Sequence, residues 1–96
     1  MYEIKTANSE NRLTADFFII AKGDNAGMPV MDATPNCFAV TTNKDVLYPK
    51  YFYYFVLNAY NKGVIFKRGS VIPFVTKDSL KADLNKEMKI VFSSFN

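Results

Sequence analysis

The sequence contains no histidine, no tryptophan and only one cysteine, and these absences exclude several kinds of active site. A chain without histidine cannot form a Ser-His-Asp triad or a Cys-His pair, and with a single cysteine it cannot build a zinc cluster. Cys37 has no partner for an internal disulfide, and its apolar neighbours indicate a small buried side chain. We therefore expect a protein that is not an enzyme, holds no metal or cofactor and has no small-molecule substrate.

Long apolar segments are also absent. The longest mostly apolar run, residues 51–57, is far shorter than the ~20 residues that a membrane-spanning helix requires. The first ten residues contain no apolar segment of the kind that directs secretion. We expect a cytoplasmic protein that does not act at a membrane, or a virion component if its role is structural.

Aromatic residues and an uneven distribution of charge are what the sequence does have. Nine Phe and six Tyr, in a chain that is 49% hydrophobic, predict one aromatic-cored domain over residues 1–96. Residues 1–48 hold four Lys and Arg against six Asp and Glu, a net −2, whereas residues 49–96 hold eight against three, a net +5. A basic excess in one half favours an anionic partner, and a lysine-rich surface that serves only solubility is the alternative.

The first half of the chain reads as short strands separated by turns. The turn KGDNAG (22–27) contains two glycines and an Asp-Asn pair, residues that tolerate a positive φ. Strands are predicted at YEIK (2–5), DFFIIA (16–21), MPVM (28–31) and CFAVTT (37–42).

The second half changes to helical spacing. Pro49 suits the first position of a helix and Gly63 suits the position after its end, which predicts a helix over residues 49–62. Its apolar stripe is Phe52, Phe55, Val56, Ala59 and Tyr60.

Beyond the helix, strand segments are predicted at 64–67 and 71–75, a short helix capped by Thr76 at 77–84, and a last strand at 88–92. The whole order predicts an α+β fold, in which a mixed, mostly antiparallel sheet packs on one central aromatic-rich helix and a short second helix.

The run Lys67-Arg68-Gly69-Ser70 is the clearest candidate for a binding loop. Lysine and arginine neutralise phosphates, glycine lets a backbone approach closely, and a serine hydroxyl can donate to a phosphate oxygen. A solvated bend between two buried segments is the alternative reading. The tyrosines could stack on unpaired bases, but four of the six lie within 49–62, where helical spacing favours packing.

Read in order, residues 13–84 resemble half of the target-recognition domain of type I restriction–modification specificity (S) subunits. In that family an apolar strand precedes a glycine-rich turn, as in DFFIIAKGDNAGMPV, and a strand like NCFAVTT follows. A helix that starts as in VLYPKYFYYFVLNAY comes next, and a segment like GSVIPFVTKDSL closes the pattern. The order and spacing of these four blocks carry the resemblance.

This resemblance implies an α+β module that reads DNA and has no catalytic activity. It implies that the turn at Gly23–Gly27 and the loop at Lys67–Ser70 face the DNA, while the helix from Pro49 is scaffold. The residues expected to contact nucleic acid are Lys22, Asn25, Lys67, Arg68, Ser70 and Lys77. A single module with a net charge of +3 would contact few phosphates, so we expect weak DNA binding by a monomer.

A role in assembly is the alternative function, for example as a phage capsid-associated or adaptor protein, or as a decoy that binds a restriction complex. The helix at 49–62 would then be a protein interface, through Tyr51, Tyr54 and Asn58 on its more polar side. This reading predicts a protein partner or a homo-oligomer. Whether the two glycine loops share one face is left open by the sequence.

Overall fold

A computed structural model, which describes residues 1–93, places four strands in one antiparallel sheet. The strands are β1 (Tyr2–Thr6), β2 (Phe17–Ile20), β3 (Pro29–Val30) and β4 (Cys37–Thr42), and their spatial order is β1-β4-β2-β3. Both β1 and β2 pair with β4, and the connection between them crosses the sheet and includes a 3-10 turn at Asn11–Leu13. The expected α+β class is confirmed.

The two faces of the sheet bury different clusters, because successive residues of a strand point to opposite sides. Phe17 and Ile19 of β2 belong to the main core, which the helices cover. Phe18 packs on the other face against Cys37 and Ala39 of β4. The predicted burial of Cys37 is thus confirmed.

Helix α1 spans Pro49–Lys62, with the predicted bounds. Pro49 occupies the start of the helix, and Gly63 ends it with a left-handed φ of 76° while its amide donates to the carbonyl of Tyr60. The predicted stripe faces the sheet. Its buried members are Phe52, Phe55, Val56 and Ala59.

Helix α2 spans Lys77–Ser93, so it starts where the short helix is predicted to start but continues past residue 84, and the predicted strand at 88–92 is wrong. Leu80, Leu84 and Met88 recur every four residues and are all buried, and this spacing continues one helical stripe past residue 84. The predicted cap is confirmed, because the amide of Ser79 donates to Oγ1 of Thr76 at 3.2 Å.

The strand segments predicted at 64–67 and 71–75 are also wrong, since only isolated β-bridges form there. A left-handed backbone at Gly69, with a φ of 92°, turns the chain out of strand geometry. Pro73 lacks the N–H that a ladder would need. The predicted strand at 28–31 shortens to the two residues of β3.

Candidate nucleic-acid interface

Lys22, Phe74 and Arg68 form a row in which the glycine turn meets both arms of the loop between Arg68 and Phe74. Phe74 forms an antiparallel bridge with Lys22 on one side and with Arg68 on the other. The amide of Gly23 donates to the carbonyl of Pro73 at 2.8 Å, which joins the glycine turn to the segment that follows the cationic loop. Because opposed residues of an antiparallel pair project from the same face, we expect the side chains of Lys22, Phe74 and Arg68 to share one face.

The glycine turn adopts the backbone that its residues predict. Gly23 and Gly27 have φ values of 101° and 95°, and the amide of Gly27 donates to the carbonyl of Ile20 at 2.7 Å. At Gly27 an added Cβ would lie 2.9 Å from Cγ2 of Ile65, so the turn packs closely against the chain that leaves α1.

Lys67 connects the cationic loop to the glycine turn. Its Nζ donates to the carbonyl oxygen of Asp24 at 2.8 Å and lies 5.2 Å from the centre of the Tyr60 ring. The hydroxyl of Tyr60 donates to Oδ1 of Asn25 at 3.5 Å. The two glycine loops therefore lie side by side, which the sequence had left open.

Three basic side chains at this interface form no ion pair with any acidic group that the structure describes. In the part of the chain that the structure describes, the ion pairs are Lys5–Glu3, Lys44–Asp16 and Lys62–Glu87. Lys22, Lys67 and Arg68 take part in none of these ion pairs. The Arg68 guanidinium instead lies 5.6 Å from the centre of the Phe66 ring, and its backbone pairs with Phe74.

Two other predicted contact residues are exposed. Ser70 lies in the loop directly after Gly69, and Lys77 is the first residue of α2. A pocket of about 410 Å³ opens beside the glycine turn, and its walls include Lys22, Asn25 and Asn36. The structure thus brings together Lys22, Asn25, Lys67 and Arg68, and Ser70 follows them in the same loop, whereas no described contact joins Lys77 to this group.

Sequence reasoning missed the aromatic residues of the surface. Phe74 and Phe66 were assigned to predicted strands, but they lie beside the cations. It also missed that Val71 and Ile72 are exposed. The available signal was local: Gly69 and Pro73 bracket these two residues, and such breakers favour a loop over a strand.

A second surface surrounds the N-terminal half of α1. Tyr51 and Tyr54 are 46% and 56% exposed, and Asn58 is exposed on the same helix. This exposure agrees with the prediction that the three residues lie on the more polar side of the helix. Beside Tyr54 is a pocket of about 400 Å³ whose walls include Phe17 and Met31. This surface has the aromatic character of a protein interface.

The chain belongs to DUF6943, a family of unknown function, whose profile matches residues 2–95. No curated protein and no solved structure gives a significant match. Within residues 1–93, no helix is both long and apolar enough to cross a membrane. The same residues contain no group of three or more His, Cys, Asp or Glu side chains that could hold a metal ion.

Proposed function

We propose that this protein is a non-catalytic DNA-binding module, related in layout to the target-recognition domains of type I restriction–modification specificity subunits. The observation that carries the proposal is the row of Lys22, Phe74 and Arg68, with Lys67 next to Arg68 and none of the three cations in an ion pair within residues 1–93. The resemblance of residues 13–84 to that family supports the same conclusion, because both implied DNA-facing loops belong to this surface.

The chemistry of the surface suits a phosphate backbone. Cations that lack an acidic partner can displace the counterions of DNA, and each neutralised phosphate makes the affinity more sensitive to salt. Three such contacts predict a slope of about −3 for log affinity against log salt concentration. The exposed phenyl ring of Phe66 adds an apolar contact for a sugar or base. Binding by one copy is then weak, and its affinity is highest below physiological salt.

Fluorescence anisotropy with labelled duplex and single-stranded DNA tests the proposal. We expect Lys22→Gln/Arg68→Gln to weaken binding about tenfold at about 50 mM salt and to reduce the salt slope by about 2. The control Lys86→Gln/Lys89→Gln makes the same charge change at two exposed positions of α2 and should alter both quantities much less. Equal effects of the two double variants, or no binding by the unaltered protein, would contradict the proposal.

A protein-interaction module is the second candidate, and the exposed tyrosines of α1 favour it. Tyr48 is 69% exposed just before the helix, and Tyr51 and Tyr54 continue this aromatic surface. If copies associate there, light scattering should find a discrete oligomer that Tyr51→Glu/Tyr54→Glu dissociates. A monomer that co-purifies with no partner would count against this function.

A further inference from the structure

The loop between Arg68 and Phe74 carries two adjacent apolar side chains at its tip. Val71 is 89% exposed and Ile72 is 60% exposed. Single exposed apolar residues are common on protein surfaces and need no explanation. Here, however, two branched side chains lie together at the tip of a loop, and cations that form no ion pair within residues 1–93 border it, so the tip is apolar and its base is positive.

The shape of this tip is held by its own backbone. Arg68 and Phe74 exchange two hydrogen bonds, of 2.8 and 2.9 Å, which close the loop at its base. Gly69 has a φ of 92°, and a Cβ there would lie 2.5 Å from the carbonyl oxygen of Ile72. The loop is thus folded tightly on itself, and the exposure of Val71 and Ile72 belongs to a formed structure. A preformed tip loses little conformational entropy when it binds.

Charge around the tip indicates the kind of ligand. Lys67 and Arg68 lie on one arm of the loop. Lys22 is paired with Phe74, which lies on the other arm. A ligand that fits both parts is negative at its surface and apolar just inside it. Duplex DNA has this distribution, because phosphates border a stack of bases and apolar side chains can enter between base steps from the minor groove.

We propose that Val71 and Ile72 form a wedge that enters between two base pairs while Lys22, Lys67 and Arg68 hold the flanking phosphates. This inference rests on the proposed DNA-binding function and adds how the duplex is engaged. Burial of two branched side chains offsets part of the lost base stacking. The loss is smallest at flexible pyrimidine–purine steps, so the wedge predicts a preference for duplexes that contain TA or CA steps.

A duplex with 2-aminopurine at a central TA step tests the wedge, because this base becomes brighter when it is unstacked. We expect the protein to raise the fluorescence and Val71→Ser/Ile72→Ser to abolish the rise and weaken binding about tenfold. Leu13→Ser is the matched control, since Leu13 is 86% exposed and lies outside the loop. It should leave both the fluorescence rise and the affinity unchanged.

The remaining outcomes separate this inference from the function on which it rests. DNA binding that Val71→Ser/Ile72→Ser leaves intact, with no fluorescence rise in the unaltered protein, overturns the wedge and leaves the DNA-binding function standing. No binding to any DNA at low salt overturns both. Vesicles of phosphatidylserine and phosphatidylcholine form the last arm: if the protein binds them through Val71 and Ile72 and does not unstack DNA, the loop is a membrane contact and the wedge is overturned.

Discussion

Asp16 links the stability of the fold to pH at the scale of a single residue. Partial burial alone would raise the pKa of this carboxyl group, but hydrogen bonds from the amide of Thr42 (2.7 Å), from Lys44 (2.9 Å) and from the Thr42 hydroxyl (2.9 Å) lower it below its usual value. A carboxylate with a lowered pKa stabilises the fold above the pKa of the unfolded chain, about 3.9. That contribution is lost as the pH falls through the lower pKa of the folded state.

We therefore expect Asp16→Asn to lower the free energy of unfolding by about 1–3 kcal/mol at pH 7, a cost typical of hydrogen bonds lost to a charged group. The difference from the unaltered protein should shrink at about pH 3, where the unfolded carboxyl group is protonated. Urea unfolding at both pH values measures this. Asp32→Asn is the control, because Asp32 is exposed in a turn. If Asp16→Asn lowers the free energy of unfolding by the same amount at both pH values, ionisation of Asp16 does not contribute to stability.

Helices α1 and α2 are joined by an ion pair that is asymmetric in its burial. The side chain of Glu87 in α2 is only 5% exposed, whereas that of its partner Lys62 in α1 is 45% exposed. Removal of the lysine alone leaves a buried carboxylate without its cation, and this costs more than removal of both charges.

At the scale of the elements, the prediction compares a variant that removes only Lys62 with one that removes both charges of the pair. Lys62→Met should destabilise the protein by roughly 1–3 kcal/mol, a range reduced from that of fully buried pairs because Lys62 is partly solvated. Lys62→Met/Glu87→Leu should recover most of the loss, because no buried charge remains. Thermal and urea unfolding give both values. If the double variant is as unstable as Lys62→Met, the loss comes from packing and the charge of Glu87 is not its cause.

The elements also show what the sequence can predict and where it fails. Helix α1 was predicted to the residue, because Pro49 and Gly63 are local signals whose backbone preferences hold in any context. The end of α2 was missed because MKIVF alternates as a strand does, while Met88 also continues a helical stripe. The helix forms because it buries Met88 in the core that the helices share with the sheet, and this burial depends on tertiary packing that the local sequence does not show.

The residues of the candidate interface could likewise be predicted only in part. Lys67 and Arg68 are candidates by residue type, because cations neutralise phosphates, whereas the glycine turn is a candidate only through the family resemblance. Their meeting was not predictable, since it depends on Phe74 pairing with both Lys22 and Arg68. No periodicity marks Phe74 for that position.

At the scale of the whole molecule, the main core joins both helices to one face of the sheet, and Phe52 lies within it. The Phe52 side chain is fully buried and its ring contacts those of Tyr2 in β1, Phe17 in β2 and Phe55 in α1, with centroids 4.6, 5.9 and 6.1 Å away. Because these contacts connect the helix to two strands, loss of the ring weakens every layer at once.

We expect Phe52→Ala to cost about 3–5 kcal/mol, the usual range for a buried phenyl ring. Tyr54→Ala removes an aromatic ring from the same helix at an exposed position, and it should cost less than about 1 kcal/mol. Far-ultraviolet circular dichroism and tyrosine fluorescence should give one coincident unfolding transition for each variant. Separate transitions for sheet and helices would contradict a shared core.

The strand order has a consequence for how the chain is made. In the sheet that residues 1–93 form, β1 pairs only with β4, so β1 leaves the ribosome before residues 37–42, its pairing partner, have been made. The helices that cover the sheet follow later still, from Pro49 and Lys77. Pairings between such distant segments close large loops and form slowly. Nascent chains that stall before β4 emerges would therefore hold an unpaired first strand, the kind of species that chaperones bind during synthesis.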